Sequence, residues 1–172
     1  MTVLAIRALP DPVLRQKSKR VGIISSSIRK LVADMLETLH AVPGRAGLAA
    51  PQVGVPLRVA VISIPPEEDE EEGAEDIVLI NPEIVKRTGE RTISEACLSI
   101  PGYHADVKRS VSVTVKGRDQ TGKEVRIKAT DLLAQALEHE IDHLNGVLYI
   151  DHLESMDELH KVEPEAPQPE EA

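Results

Sequence analysis

Tryptophan and phenylalanine are absent from this chain, and tyrosine occurs only twice in 172 residues. A core without large rings must be filled by close packing of Val, Ile, Leu and Ala. Recognition of nucleic-acid bases by stacking has almost nothing to use, so no specific nucleic-acid recognition is expected. Cysteine occurs once, at Cys97. That excludes an intramolecular disulfide and fits a reducing compartment. No apolar run is long enough to cross a bilayer, and the start is mixed and charged rather than signal-like. Together these absences point to a cytoplasmic location without a membrane partner. The length fits one domain.

Charge is unevenly placed. The formal net charge is −9, yet residues 1–66 carry nine Lys or Arg against three acids. Residues 67–76 carry eight acids and no base, residues 77–150 balance at ten and ten, and residues 151–172 carry eight acids and one lysine. The acidity therefore sits in two segments. The first follows Pro65-Pro66 and reads as a solvated loop inserted at 65–76. The second is acidic and proline-rich and reads as a partly disordered tail over 151–172. Residues 1–150 are the expected folded domain.

What is present is more specific. His139-Glu140-Ile141-Asp142-His143 reads H-E-x-x-H. On a helix, histidines four apart share one face and can hold one metal ion, with the glutamate beside it to move protons for a water. Thr130 or Asp131 is a suitable cap, and Asn145-Gly146 a stop. At ~100° per residue, Leu132, Ala136, His139 and His143 fall on one stripe. Leu133, Leu137, Ile141 and Leu144 form an apolar stripe, and Asp131, Glu138 and Asp142 a polar edge. The plainer alternative is a surface helix with two incidental histidines.

Two histidines leave a catalytic centre one protein ligand short. Downstream, His152 and His160 lack the H-x-x-G-x-x-H continuation of a zincin. Upstream, Cys97 stands in Glu95-Ala96-Cys97-Leu98-Ser99. A lone cysteine is more often a small buried hydrophobe. As a thiolate it would complete a Cys-His-His set suited to Fe(II), Zn(II) or Co(II) rather than Mg(II) or Ca(II). A third segment, Gly47-Leu48-Ala49-Ala50-Pro51-Gln52-Val53-Gly54, is too rich in small residues and proline for a regular helix. It reads as a close-packed turn, or as backbone that approaches a ligand, with Gln52 offering an amide to a developing oxyanion.

In this order, the three segments resemble the motifs of the peptide deformylase family. Residues 47–52, 95–99 and 139–143 carry the resemblance, together with the opening Val3-Leu4-Ala5-Ile6 and Pro10-Asp11-Pro12-Val13-Leu14-Arg15. It covers roughly residues 3–150, which would be the catalytic domain. The chain departs from the pattern at Arg45, Ala46, Ala96, Glu138 and Tyr103-His104. The resemblance implies hydrolytic removal of the formyl group from the N-terminal formyl-methionine of new polypeptides. Cys97, His139 and His143 would hold one divalent metal ion, usually Fe2+ in the family, with Zn2+, Ni2+ or Co2+ also compatible. Glu140 would be the proton carrier, and Gln52 and the backbone N–H of Leu98 would stabilise the oxyanion. Gly47 would pair with the peptide backbone. Ala46, Ile93, Leu132, Ala136 and the His139 ring would line the side-chain pocket. The implied partners are N-formylmethionyl nascent peptides and, transiently, the ribosome. Two rivals remain: an H-E-x-x-H endopeptidase, and a non-catalytic peptide-binding relative.

Apolar spacing places a helix over residues 28–39, capped by Ser26 or Ser27 and ended by Pro43-Gly44. Residues 57–63, 77–80, 83–87 and 107–116 read as strands. Gln120-Thr121-Gly122-Lys123 is a turn, with a return strand through Val125 and Ile127. Strands clustered between two helices argue for an α+β fold, with a mainly antiparallel sheet packed around a central metal-binding helix.

Overall fold

The computed structural model describes residues 2–42, 44–64 and 75–162. The expected acidic loop, apart from its last two residues, and the end of the expected tail lie outside the described residues. The fold is α+β with antiparallel sheets. One sheet has the order β1 (Gly47–Ala49), β2 (Val59–Ile64), β3 (Glu75–Thr88), β6 (Ser112–Arg118), β7 (Glu124–Thr130). The other has the order β4 (Arg91–Cys97), β5 (Ile100–Arg109), β8 (His160–Lys161). Two helices complete it, α1 (Ser26–His40) and α2 (Asp131–Leu144). Among the described residues, no helix is long and apolar enough to cross a membrane.

The two helices cover opposite faces of the five-stranded sheet. Side chains alternate along a strand. Val59 and Val61 of β2 and Val78 and Ile80 of β3 therefore pack with Val32, Met35 and Leu39 of α1. Ile62 and Leu79, one residue out of step, pack with Ala134, Leu137 and Ile141 of α2. This double coverage explains why β2 is an almost unbroken apolar run, as expected for a strand buried on both faces. A third cluster joins Cys97, Ile100, Ala105 and Val107 to Leu148 and Tyr149.

Several sequence expectations shift in detail. The cap of α1 is Ser25, whose hydroxyl accepts from the Ile28 N–H. Residues 77–80 and 83–87 belong to one strand, β3, with register shifts on its β6 edge at Ile80/Glu83 and Ile84/Lys86. The single strand expected over 107–116 is two, because the chain breaks at Ser110 and Val111 and moves from one sheet to the other. The turn at 47–54 is a short strand followed by a 3-10 turn, Ala50–Val53. The polar edge of α2 is partly buried: Glu138 is only 7% exposed and accepts from the Ser110 N–H. Beyond residue 150, residues 151–162 are described and include β8, paired to β5.

Gly146, just past the Asn145 cap of α2, has a φ of +74°. A Cβ there would lie 2.7 Å from the Arg15 carbonyl oxygen, so only glycine fits both the turn and the contact. Leu137 is fully buried on the sheet side of α2, whereas Leu132, on the same helix, is 45% exposed. Leu137→Ala should lower unfolding free energy by about 2–5 kcal/mol. Leu132→Ala should stay within about 0.5 kcal/mol of the parent. Urea unfolding of both variants checks the assignment of the two faces.

Candidate active site

A cavity of about 300 Å³ lies between two open sheet edges. Arg45, Ala46 and Gly47 form one wall at the start of β1, which among the described residues pairs only with β2. Ser94, Ala96, Cys97 and Leu98 form the other, at the end of β4, which pairs only with β5. Leu132, Gln135, Ala136, His139 and Glu140 of α2 supply the rest of the lining. Of the expected pocket residues, Ile93 does not line this cavity. It lies in β4, paired with Val107 of β5, one position before the wall begins.

Three donor atoms converge here. The Sγ of Cys97 is 3.3 Å from His143 Nε2, which is 3.2 Å from His139 Nε2. All three ligand atoms lie within 4.8 Å of one another. The helical spacing of four aligns the two rings, and β4 delivers the sulfur from the facing sheet. The donor chemistry fits a divalent ion of the zinc or iron type: one thiolate, two imidazoles, and an open side toward the cavity.

The orientation of His139 is fixed from behind. Its Nδ1 donates to Glu95 Oε2 at 2.9 Å, which leaves Nε2 facing the cluster. Glu95 is itself held by Arg109, whose Nε donates to Oε1 at 3.0 Å and whose Nη2 donates to Oε2. Arg109 also donates from Nη1 to Asp142 at 2.7 Å, and Gln135 Nε2 donates to Glu95 Oε1 at 3.2 Å. This network was only partly visible in the sequence. Glu95 lies two residues before Cys97, so both fall on one face of β4. Nothing local marked Arg109, which reaches the site only because β5 folds back on β4.

The electrostatics follow from this geometry. Burial pushes the Glu95 carboxyl upward, but its bonds to His139 and Arg109 outweigh that and hold it down at about 2. Burial also pushes the Glu140 carboxyl up, to about 7, despite the opposing charge of His139. The Oε2 of Glu140 is buried without a hydrogen-bond partner among the described residues. Against burial, Cys97 and Glu95 favour the protonated form of His139, whereas burial and the neighbouring His139 charge push His143 far down. Two rings this close cannot both carry a proton's charge, and a bound cation would require both to be neutral.

Gln52 is 1% exposed. Its Oε1 accepts from the Ala49 N–H at 3.0 Å, which turns its Nε2 toward Ser99 Oγ at 3.2 Å and Cys97 Sγ at 3.6 Å. Leu98 sits in the two-residue turn between β4 and β5, beside the sulfur. A Cβ on Gly47 would lie 2.8 Å from Glu140 Oε1, so the absent side chain is the space that the carboxylate uses.

Taken together, an α+β fold, a Cys-His-His cluster and a buried carboxyl facing a cavity define the outline of a metal-dependent hydrolase. The family model for polypeptide deformylase matches residues 3–159. A peptide deformylase of Dehalococcoides mccartyi strain CBDB1 is 53% identical over 171 residues, covering 99% of this chain and 98% of the relative. One from Thermomicrobium roseum is 44% identical over 173 residues, covering 100% and 98%. The crystal structure of a peptide deformylase from Legionella pneumophila superposes with a TM-score of 0.83 at 43% identity, covering 91% of this chain and 89% of that one. That of the Ehrlichia chaffeensis enzyme in complex with actinonin gives 0.84 at 41% identity, covering 92% of each. The chain belongs to the polypeptide deformylase family, hydrolases that remove the N-formyl group from newly made polypeptides.

Arg109→Met should leave Glu95 buried without its cation. The expected loss of stability is about 3–5 kcal/mol at neutral pH. The loss should shrink as pH falls, because burial pushes the Glu95 carboxyl upward and without Arg109 it takes a proton at a higher pH than in the parent. The parent draws stability from its ionised Glu95 above the ordinary glutamate pKa and loses it as pH falls toward about 2. Denaturant unfolding of both proteins across this range measures the difference.

Proposed function

We propose that this chain deformylates N-formylmethionyl nascent peptides in the cytoplasm, with residues 1–150 as the catalytic domain, α2 as its metal-binding helix and Cys97, His139 and His143 as the metal ligands. Fe2+ is the proposed ion, and Zn2+, Ni2+ or Co2+ would fit the same donors. The observation that carries this reading is the convergence of Sγ and two Nε2 atoms beside the Glu140 Oε2, which has no hydrogen-bond partner among the described residues. When bound, the ion supplies a Lewis acid that polarises the formyl group and acidifies water.

The residues of the chain do the rest. The peptide extends between the open edges of β1 and β4, with backbone hydrogen bonds at Gly47. Its first side chain rests on Ala46, Leu132, Ala136 and the His139 ring, and Ile93 flanks this pocket without lining it. Glu140, its carboxyl held near 7 by burial, takes the proton of the attacking water and returns it to the leaving amine. The Gln52 amide and the Leu98 N–H donate to the oxyanion that forms on the formyl carbon. Ala49 preorients the amide, so it need not reorganise during the reaction. The substrate emerges at the ribosome, and transient association there is part of this reading. An endopeptidase role has less support, because no further histidine approaches the cluster among the described residues.

Glu140→Gln should keep metal content at parent level and lower kcat/KM on a formyl-Met-peptide by about 10²–10⁴. Gly47→Ala should also lower kcat, by displacing the carboxylate. Metal analysis alongside steady-state kinetics separates the two effects. Near-parent turnover by a metal-loaded Glu140→Gln protein would remove the glutamate from the mechanism.

A further inference from the structure

A second cleft, of about 420 Å³, shares no lining residue with the catalytic cavity. Arg20, Arg58 and Arg87 converge on it from three segments, with Asn145 at the C-terminal cap of α2 and a single carboxylate, Glu83, in the lining. The frame that brings them together is built. The Lys19 N–H donates to the Pro56 carbonyl and the Arg58 N–H to the Lys19 carbonyl, each at 2.9 Å, in a short parallel bridge. That bridge sets Arg20 beside Arg58. Asn81 locks the arrangement: its side chain exchanges two 2.8 Å hydrogen bonds with the Val21 backbone, and its own N–H donates to the Arg58 carbonyl. Asn81 does this at φ +53°, a conformation that costs energy in a non-glycine residue.

Holding Arg20 beside Arg58 opposes folding. The Arg58 guanidinium is half-buried and, among the described residues, donates only to the Leu144 carbonyl, at 3.0 Å. Neither Arg20 nor Arg58 has a carboxylate within ion-pair distance among the described residues, and Arg87 reaches only Glu138, at 3.6 Å. Burial and the adjacent Arg20 charge push the Arg58 pKa below the usual guanidinium range. Like charges placed together, with Arg58 half-buried between exposed Arg20 and Arg87, are relieved by an anion, and three guanidinium forks with an amide suit the oxygens of a phosphate.

We propose that the Arg20–Arg58–Arg87 cleft is a phosphate-binding site, distinct from the catalytic cavity and independent of the deformylase reading. The phosphate could belong to a small phosphoester or to an RNA backbone. Backbone phosphate contacts need neither base-edge readout nor the aromatic side chains of which this chain has only two tyrosines.

The test is calorimetric titration of the full-length protein with inorganic phosphate, at ionic strength held constant with chloride. Arg20→Gln and Arg87→Gln are compared with the parent, and Arg126→Gln on β7 is the control. Arg58 is left intact because it supports the end of α2. Each cleft variant should weaken phosphate binding by ~10-fold or more, since a charge-assisted hydrogen bond contributes about 1.5–3 kcal/mol. Arg126→Gln should bind like the parent. A short RNA that competes with phosphate, with an affinity falling steeply with salt, would identify the backbone as the source. Phosphate binding without RNA competition would identify a small phosphoester. No phosphate binding by the parent, or parent-level binding by either cleft variant, would overturn the site.

Discussion

One buried carboxylate joins the parts of this protein that do chemistry. Glu95 sits at the end of β4 with its side chain 3% exposed, and Arg109, at the end of β5, is 2% exposed. Burying such a pair is costly in dehydration, and its Coulomb energy does no more than offset that. Its use here is orientation. Glu95 fixes the His139 ring, and Arg109 reaches past it to Asp142 on the same helix. Two strands and a helix that belong to different layers are thereby brought to one register. The sulfur of Cys97, two residues along β4, moves with them.

The site also depends on what surrounds this pair. Coverage of both faces of the five-stranded sheet makes β2 and β3 a rigid floor under α2. Among the described residues, the sheet edges that would otherwise be a liability are left open at β1 and β4, where they face each other across the cavity. An extended chain placed between them would find backbone partners on both sides. Small residues set the spacing: Gly47 leaves room for the Glu140 carboxylate, and Ala136 keeps the floor of the cavity low.

The legible parts of the sequence were those with local causes. The period of α2 showed which face would meet a core: Leu133, Leu137 and Ile141 do pack on the sheet. The same period placed His139 and His143 together. The alternation of Val113 and Val115 showed a half-buried strand, and Thr121-Gly122 its turn. What escaped was set by tertiary pairing. β4 reads Arg-Thr-Ile-Ser-Glu-Ala-Cys, with no apolar alternation, so it formed no recognisable strand, although it carries Glu95 and Cys97. Ser110 and Val111 read as strand because valines flank them, but the chain changes sheets there. Glu138 and Asp142 looked like a solvated edge, yet Ser110 and Arg109, distant in sequence, bond to them. Arg109 had no local signal at all. Ile93, chosen by position, falls one step short of the cavity wall.

Zinc K-edge absorption spectroscopy on the zinc-substituted protein tests the proposed ligand set most directly. Cys97, His139 and His143 predict one sulfur at about 2.3 Å and two imidazole nitrogens at about 2.0–2.1 Å, with one further light atom completing a four-coordinate shell. Cys97→Ser should remove the sulfur contribution. A shell without sulfur in the parent, or one unchanged by Cys97→Ser, would contradict the assignment.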